Sequence, residues 1–280
     1  AKWKKSVFEV YKDASIPLEW TSKLKKECQK NNIEFLTSPY SIELVDFVNP
    51  YLEAFKIGSG DITWLEMIDK VARKSKPYII ASGASNFEEV LMAVNTGINL
   101  NNELCLMQCN TNYTASLENF KYINLNVIKS YQAMFPGLII GLSDHTPGST
   151  TVLGAVSLGA KMIEKHFTDD NERDGPDHKF SMNPSSWMEM VQRTRELELS
   201  LGTGIKKIED NEKETSIVQR RSLMTTKKIY KGDIVTESHI KAVRPCPEGA
   251  LPPFMKSKII GKRIKRDIEL DSHFLMQDLY

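Results

Sequence analysis

The sequence predicts an α/β protein, a (β/α)8 barrel of the TIM type followed by a small β-rich unit. Three observations carry this. Short apolar runs alternate with helix-patterned segments across residues 1–201, the signature of parallel strands with helices packed outside them. The side chains able to do chemistry stand at the C-terminal ends of those runs, where a barrel gathers them on one rim. No GxGxxG follows an early run, which disfavours an open sheet with a single dinucleotide crevice.

Six runs have strand length and β-rich middles: 33–39 (IEFLTSP), 54–60 (AFKIGSG), 77–83 (PYIIASG), 103–109 (ELCLMQC), 138–144 (LIIGLSD) and 162–168 (MIEKHFT). Helical patterns lie between them at 20–31, 63–73, 86–96, 120–135 and 150–158, and another follows at 187–201. A closed barrel takes eight strands, so two further βα units are expected ahead of residue 1. The stretch 3–13 is Lys-rich and does not read as a barrel strand. A linker over 202–217 carries Gly punctuation and alternating charge. The second domain, 218–280, contains a weak repeat, IYKGDIVTESHI (229–240) against IKRDIELDSHF (264–274). A core of that size is marginal alone, so packing on something else is expected.

The 280 residues include 37 basic and 36 acidic side chains, and a net charge of +1 points to neither nucleic acid nor a membrane surface as partner. No apolar stretch reaches the ~18 residues needed for a bilayer span. The start, AKWKKSVFEVYKD, lacks the apolar centre of a secretion signal. The four cysteines (Cys28, Cys105, Cys109 and Cys246) have neither redox nor zinc-knuckle spacing. Buried free thiols and a cytoplasmic location are expected.

Three constellations carry chemistry. GLSDHT (141–146) and EKHFT (164–168) end consecutive runs, so His145 and His166 meet at the rim. Two neutral imidazoles plus solvent make an open metal site, with Asp144 and Glu164 available to orient them. The plainer alternative is two hydrogen-bonded histidines. KIGSG (56–60) places Lys56 inside an apolar run, which is costly unless an anion meets it. With Ser59, and with Ser38, Ser82 and Ser143 from neighbouring run ends, it suggests a phosphate or carboxylate cradle. The alternative is a structural pair of Lys56 with Asp61. RDGPDHKFSM (173–182) offers Asp177 and His178 to a polyol or to a proton in transfer, or is an inert solvated turn.

KIGSG, GLSDHT, EKHFT, GPD…FSM and the terminal RRSL…KKIYKGD…VRP…G together resemble the sialic acid synthase family, the last stretch resembling its antifreeze-like (SAF, β-clip) domain. The resemblance runs over essentially the whole chain. It implies a domain-swapped homodimer that condenses phosphoenolpyruvate with an N-acylated hexosamine, N-acetylmannosamine by default, and releases phosphate. It also implies a divalent metal, Mn2+ first, with Mg2+ and Co2+ as alternatives. By this resemblance His145 and His166 match the metal ligands. Lys56, Ser59, Ser38 and Ser143 match groups around phosphoenolpyruvate, and Ser82 stands in for a family serine whose place Ala81 takes. Glu164 and Asp177 match acidic active-site positions, Glu164 being the candidate for proton transfer. Asn110 or Asn112, with Tyr113, matches an Asn-x-Tyr motif loosely. Arg244 matches an arginine that the small domain delivers to a second subunit's sugar site.

The same machinery would serve a synthase of legionaminic or pseudaminic acid. A metal-dependent sugar isomerase or aldolase would need more carboxylates at the metal, or a Schiff-base lysine. A degenerate family member would bind metal or sugar without turnover.

Overall fold

Five parallel strands pair in chain order: β1 (Phe55–Ile57), β2 (Tyr78–Ala81), β3 (Leu104–Cys109), β4 (Ile139–Asp144) and β5 (Met162–Lys165). Helices α1 (Val7–Ala14), α2 (Trp20–Lys30) and α3 (Ile42–Val48) precede them. Helices α4 (Leu65–Ala72), α5 (Phe87–Ile98), α6 (Val127–Met134) and α7 (Thr150–Ser157) connect them, and α8 (Pro184–Leu201) follows. The computed structural model describes residues 6–175 and 177–280, and the chain forms two units, Ala1–Gly202 and Thr203–Tyr280.

Strand register decides which side chains face the helices. Ile57, Ile80, Leu106 and Ile140 form one outward row, and Phe55, Tyr78 and Leu104 the row below it. All are buried in the main core against Ile68, Val71, Val94 and Ile128 of the helices. Burying each such side chain contributes about 1.5–3 kcal/mol. The helices are built for that surface. Asn86 caps α5 in a reciprocal box with Glu89, and Val90, Ala93, Val94 and Gly97 bury one stripe at helical spacing.

The inward rows differ in character. Ala81, Met107, Gly141 and Met162 lie in one row, and Cys109, Ser143 and Glu164 in the next. Gly141 is required there, because a Cβ would stand 2.6 Å from the Met162 carbonyl oxygen. In a flat sheet β1 and β5 would be about 19 Å apart, four strand spacings. Lys56 Nζ on β1 nevertheless lies 3.1 Å from Glu164 Oε1 on β5. The sheet is therefore curled into an arc around an interior.

Several expectations are corrected. Residues 33–39 form no strand among the described residues. A parallel strand needs both faces covered, and Ile33 and Leu36 are 59% and 44% exposed. The helix expected over 120–135 begins only at Val127; Leu117–Tyr122 is a 3-10 turn, and Asn124 at φ +49° breaks the path between them. Residues 7–14 are helix, and α3 escaped notice because it is seven residues long with only Val45 and Val48 buried.

In the second unit α9 (Lys213–Gln219) overlaps the expected linker, β6 (Ser222–Thr225) pairs antiparallel with β7 (Ile240–Val243), and α10 (Lys256–Ile259) follows. The halves of the sequence repeat meet through an antiparallel bridge at Ile229–Ile268, and a second bridge joins Ile234 to Arg263, the residue just before the second half. Leu223, Val235, Ile264 and Phe274 centre its own core. All four cysteines are free, and among the described residues no helix is long and apolar enough to cross a membrane.

Candidate active site

The inward rows end in a polar cluster at the C-terminal ends of β1, β4 and β5. Lys56 Nζ lies 3.1 Å from both carboxylate oxygens of Glu164, and Ser143 donates to Glu164 Oε1 at 2.7 Å. The Lys56 side chain is 12% exposed and that of Glu164 41%, so the pair is reachable from solvent. Asp61 is not its partner. Ser59, in the turn after β1, accepts from the Gly83 amide at 3.0 Å, which leaves its own hydroxyl hydrogen to point elsewhere. Gly83 has no room for a side chain: a Cβ would meet Thr111 Oγ1 at 1.8 Å and Ser59 Oγ at 2.8 Å.

Beyond this cluster the two imidazoles lie side by side, tilted by 59° with ring centroids 5.1 Å apart. Tyr113 lies 4.4 Å from the His145 ring and 5.6 Å from that of His166, and Phe180 lies 5.0 Å from His166. His145 Nδ1 is 2.9 Å from the Asn110 carbonyl oxygen, and His166 Nδ1 is 3.5 Å from Asp177 Oδ2. Burial, followed by the neighbouring His145, lowers the His166 pKa and favours its neutral form. Burial also pushes the Tyr113 hydroxyl up to about 12.

Asp144 does not orient His145, as the sequence suggested. Successive strand residues point to opposite faces, so Asp144 and Lys165 face outward while their neighbours face in. They form a buried ion pair at 2.6 Å. Glu164 is on the inward face but engages Lys56 and Ser143 rather than an imidazole. Ser82 is likewise outward, donating to the Met107 carbonyl at 2.8 Å and accepting from Tyr131 at 2.9 Å. The alternation that puts Ala81 inside excludes it from the cradle.

Three comparisons with known proteins bear on this arrangement. The NeuB family model matches residues 1–206, and the SAF domain model residues 220–279. The chain belongs to the NeuB family. The N,N'-diacetyllegionaminic acid synthase of Campylobacter jejuni is 36% identical, over 86% of this chain and 72% of its own. The pseudaminic acid synthase of Helicobacter pylori is 33% identical, over 99% and 80%. The crystal structure of the sialic acid synthetase of Leptospira borgpetersenii superposes with a TM-score of 0.68 at 27% identity, covering 74% of this chain and 72% of that one.

The remaining expected residues of this NeuB-family chain are dispersed. Asn110 contributes its backbone carbonyl to His145, while its side-chain amide donates to Tyr122. Asn112 pairs with Asn119 within the loop after β3. Ser38 is half-buried in the segment before α3. His178 is 2.7 Å from Thr168 Oγ1 and braces its own loop. Arg244 belongs to the second unit, where its Nε donates to the Gln219 carbonyl. Phe180 and Gly83 lie within the motifs FSM and SG, but the sequence alone gives neither a role of its own. The SG following β2 is a legible signal for close backbone approach, whereas a backbone carbonyl such as that of Asn110 leaves none.

The two histidines fit a divalent metal. His145 Nδ1 held by a carbonyl must carry the hydrogen, which leaves its Nε2 lone pair outward. Among the described residues no three His, Cys, Asp or Glu side chains converge on one point, so solvent or substrate oxygens would complete the shell.

Proposed function

We propose that this NeuB-family chain condenses phosphoenolpyruvate with an open-chain N-acylated hexosamine and water to give a nonulosonate and inorganic phosphate. The observation that carries the reading is the meeting of Lys56 and Glu164 from opposite ends of the arc, with Ser143, on the same rim as two adjacent imidazoles. Relatives bearing legionaminic, pseudaminic and sialic acid synthase names support the same substrate class. We further propose that the arc is part of a (β/α)8 barrel, and that Arg244 reaches the sugar site of a second subunit in a homodimer.

In this mechanism C3 of phosphoenolpyruvate bonds to the sugar aldehyde carbon, whose oxygen takes a proton and becomes a hydroxyl. Water adds to C2 and loses one proton, leaving a C2 hydroxyl. The bond from C2 to the phosphate oxygen then breaks as that hydroxyl gives its remaining proton to the departing phosphate, which leaves the ketone. Lys56 keeps N–H donors beyond the one aimed at Glu164, and these hold the phosphate together with the Ser59 hydroxyl. Their charge and dipoles are preset where negative charge leaves. Glu164, open to solvent on one side, takes the proton of the adding water. A divalent ion on His145 and His166, Mn2+, Mg2+ or Co2+, would polarise the aldehyde. Asp177, beside His166, faces the polyol. A Schiff-base aldolase is not favoured, because Lys56 is ion-paired and Lys165 is buried on the other face.

The test is phosphate release from phosphoenolpyruvate with Mn2+, without sugar, with N-acetylmannosamine, and with diacetamido-deoxy hexoses. Release that requires a sugar supports the synthase, and the sugar that elicits it defines the substrate. Release from none of these mixtures defeats the reading.

A further inference from the structure

We infer that the buried Asp144–Lys165 pair is a positioning device that sets the spacing of His145 and His166. This rests on the reading of those two histidines as metal donors. The ladder between β4 and β5 has Asp144 opposite Lys165 as its last rung, and the histidines are the next residue on each strand. Each therefore projects one residue past the end of the backbone hydrogen bonds that hold the two strands together. The side-chain pair clamps the strands at that rung.

The clamp is more than one contact. Lys165 Nζ donates to Asp144 Oδ2 at 2.6 Å, to the Thr146 carbonyl at 2.6 Å and to the Gly148 carbonyl at 3.0 Å. Residues 144 and 146 flank His145, so one ammonium on the strand of His166 holds both neighbours of His145. All three of its donors are used. Asp144 also accepts from Thr146 and, at 2.6 Å, from Thr151 of α7. The side chains of Lys165 and Asp144 are 1% and 0% exposed, so neither touches substrate. A pair this closed carries no ligand of its own. What it offers the rim is a fixed separation between two imidazoles whose ring centroids are 5.1 Å apart.

The experiment measures Mn2+ binding directly, by calorimetry and by the electron paramagnetic resonance of free Mn2+, beside thermal unfolding. The double variant Asp144→Asn/Lys165→Met removes both charges together and leaves no buried ion unpaired. It is expected to fold and to bind Mn2+ about 10–100-fold more weakly, the range for groups that orient metal ligands from behind. Thr151→Val removes two hydrogen bonds from the same network, those to Asp144 and Thr146, without touching the link between strands. It is expected to lower the unfolding temperature while leaving Mn2+ affinity within about twofold of the parent. A folded double variant with parental affinity overturns the inference. Should the double variant not fold, Lys165→Arg serves in its place: it keeps the charge but moves the donors, and unchanged affinity together with an unchanged Co2+ absorption spectrum overturns the inference equally. His145→Ala sets the zero of binding. A parent chain that binds no more Mn2+ than His145→Ala defeats the metal reading, and the positioning role with it. Parental binding that survives loss of the clamp defeats the positioning role alone.

Discussion

Two lysine–carboxylate pairs use adjacent residues of β5 and end up with opposite duties. Glu164 faces inward and meets Lys56, and Lys165 faces outward and meets Asp144. The chemistry is the same in both. What differs is closure. The outward pair is sealed, and every Lys165 donor has an acceptor within the protein. The inward pair is partly open, with donor capacity left on Lys56 and solvent on one side of Glu164. A saturated ion pair holds a fold, and an unsaturated one at a rim is available to a ligand.

The comparison breaks most sharply at Lys165. Lys165→Met alone strands a buried carboxylate, and unfolding of the first unit in urea should show a loss of about 3–5 kcal/mol. Lys56→Met should behave in the opposite way. Glu164 can turn to water, so the loss of stability stays under about 1 kcal/mol, while sugar-dependent phosphate release falls by about 10²–10³. If Lys56→Met unfolds the chain and Lys165→Met spares it, the division of duties is reversed. Gly83→Ala probes the floor of the open site. Its Cβ would displace Ser59 Oγ, and we expect about 1–3 kcal/mol of destabilisation with a weaker apparent affinity for phosphoenolpyruvate.

A third cluster, one carboxylate between two lysines, completes the series at the surface, with the Asp46 side chain 56% exposed. Asp46 lies 2.7 Å from Lys70 and also bonds Lys74, and these hydrogen bonds hold its pKa at about 2, below the ordinary 3.8. The sign follows from the depression. The tether between α3 and α4 is fully present above pH 3.8 and is lost as the pH falls through about 2. Carboxyl chemical shifts across pH 1–5 would report the midpoint. A midpoint near 3.8 would show that this cluster does not persist in solution.

Much of this was legible in the sequence, for physical reasons that can be named. Each strand from β1 to β5 lies within an apolar run bounded by small or polar residues, and the rim chemistry follows those runs. That Lys56, Ser143, Glu164, His145 and His166 gather at one end of the sheet was legible, because each is a polar side chain in or just after an apolar run. Side-chain parity was the information read too loosely. Counting alternate residues along one run puts Asp144 on the face opposite Ser143 and His145, and Ser82 on the face opposite Ala81. Partnering was less legible. Lys56 finds Glu164 108 positions away because the sheet curls, and curvature leaves no mark in a local pattern. The expected strand at 33–39 failed for a related reason, since its composition suits a sheet but Ile33 and Leu36 remain open.

The contact between β1 and β5 makes the arc behave as a bow whose string is one ion pair. The outer core, with residues such as Tyr78 and Leu106 that never approach the rim, packs against the outer side of the arc. Flattening the arc by a small angle per strand adds up across the sheet and is read out at the string, where Lys56 and Glu164 separate. On the proposed reading, affinity for an anion at this site would be governed in part by packing on the far side of the sheet. Changes in core volume there would surface as changes in binding before they surface as loss of fold.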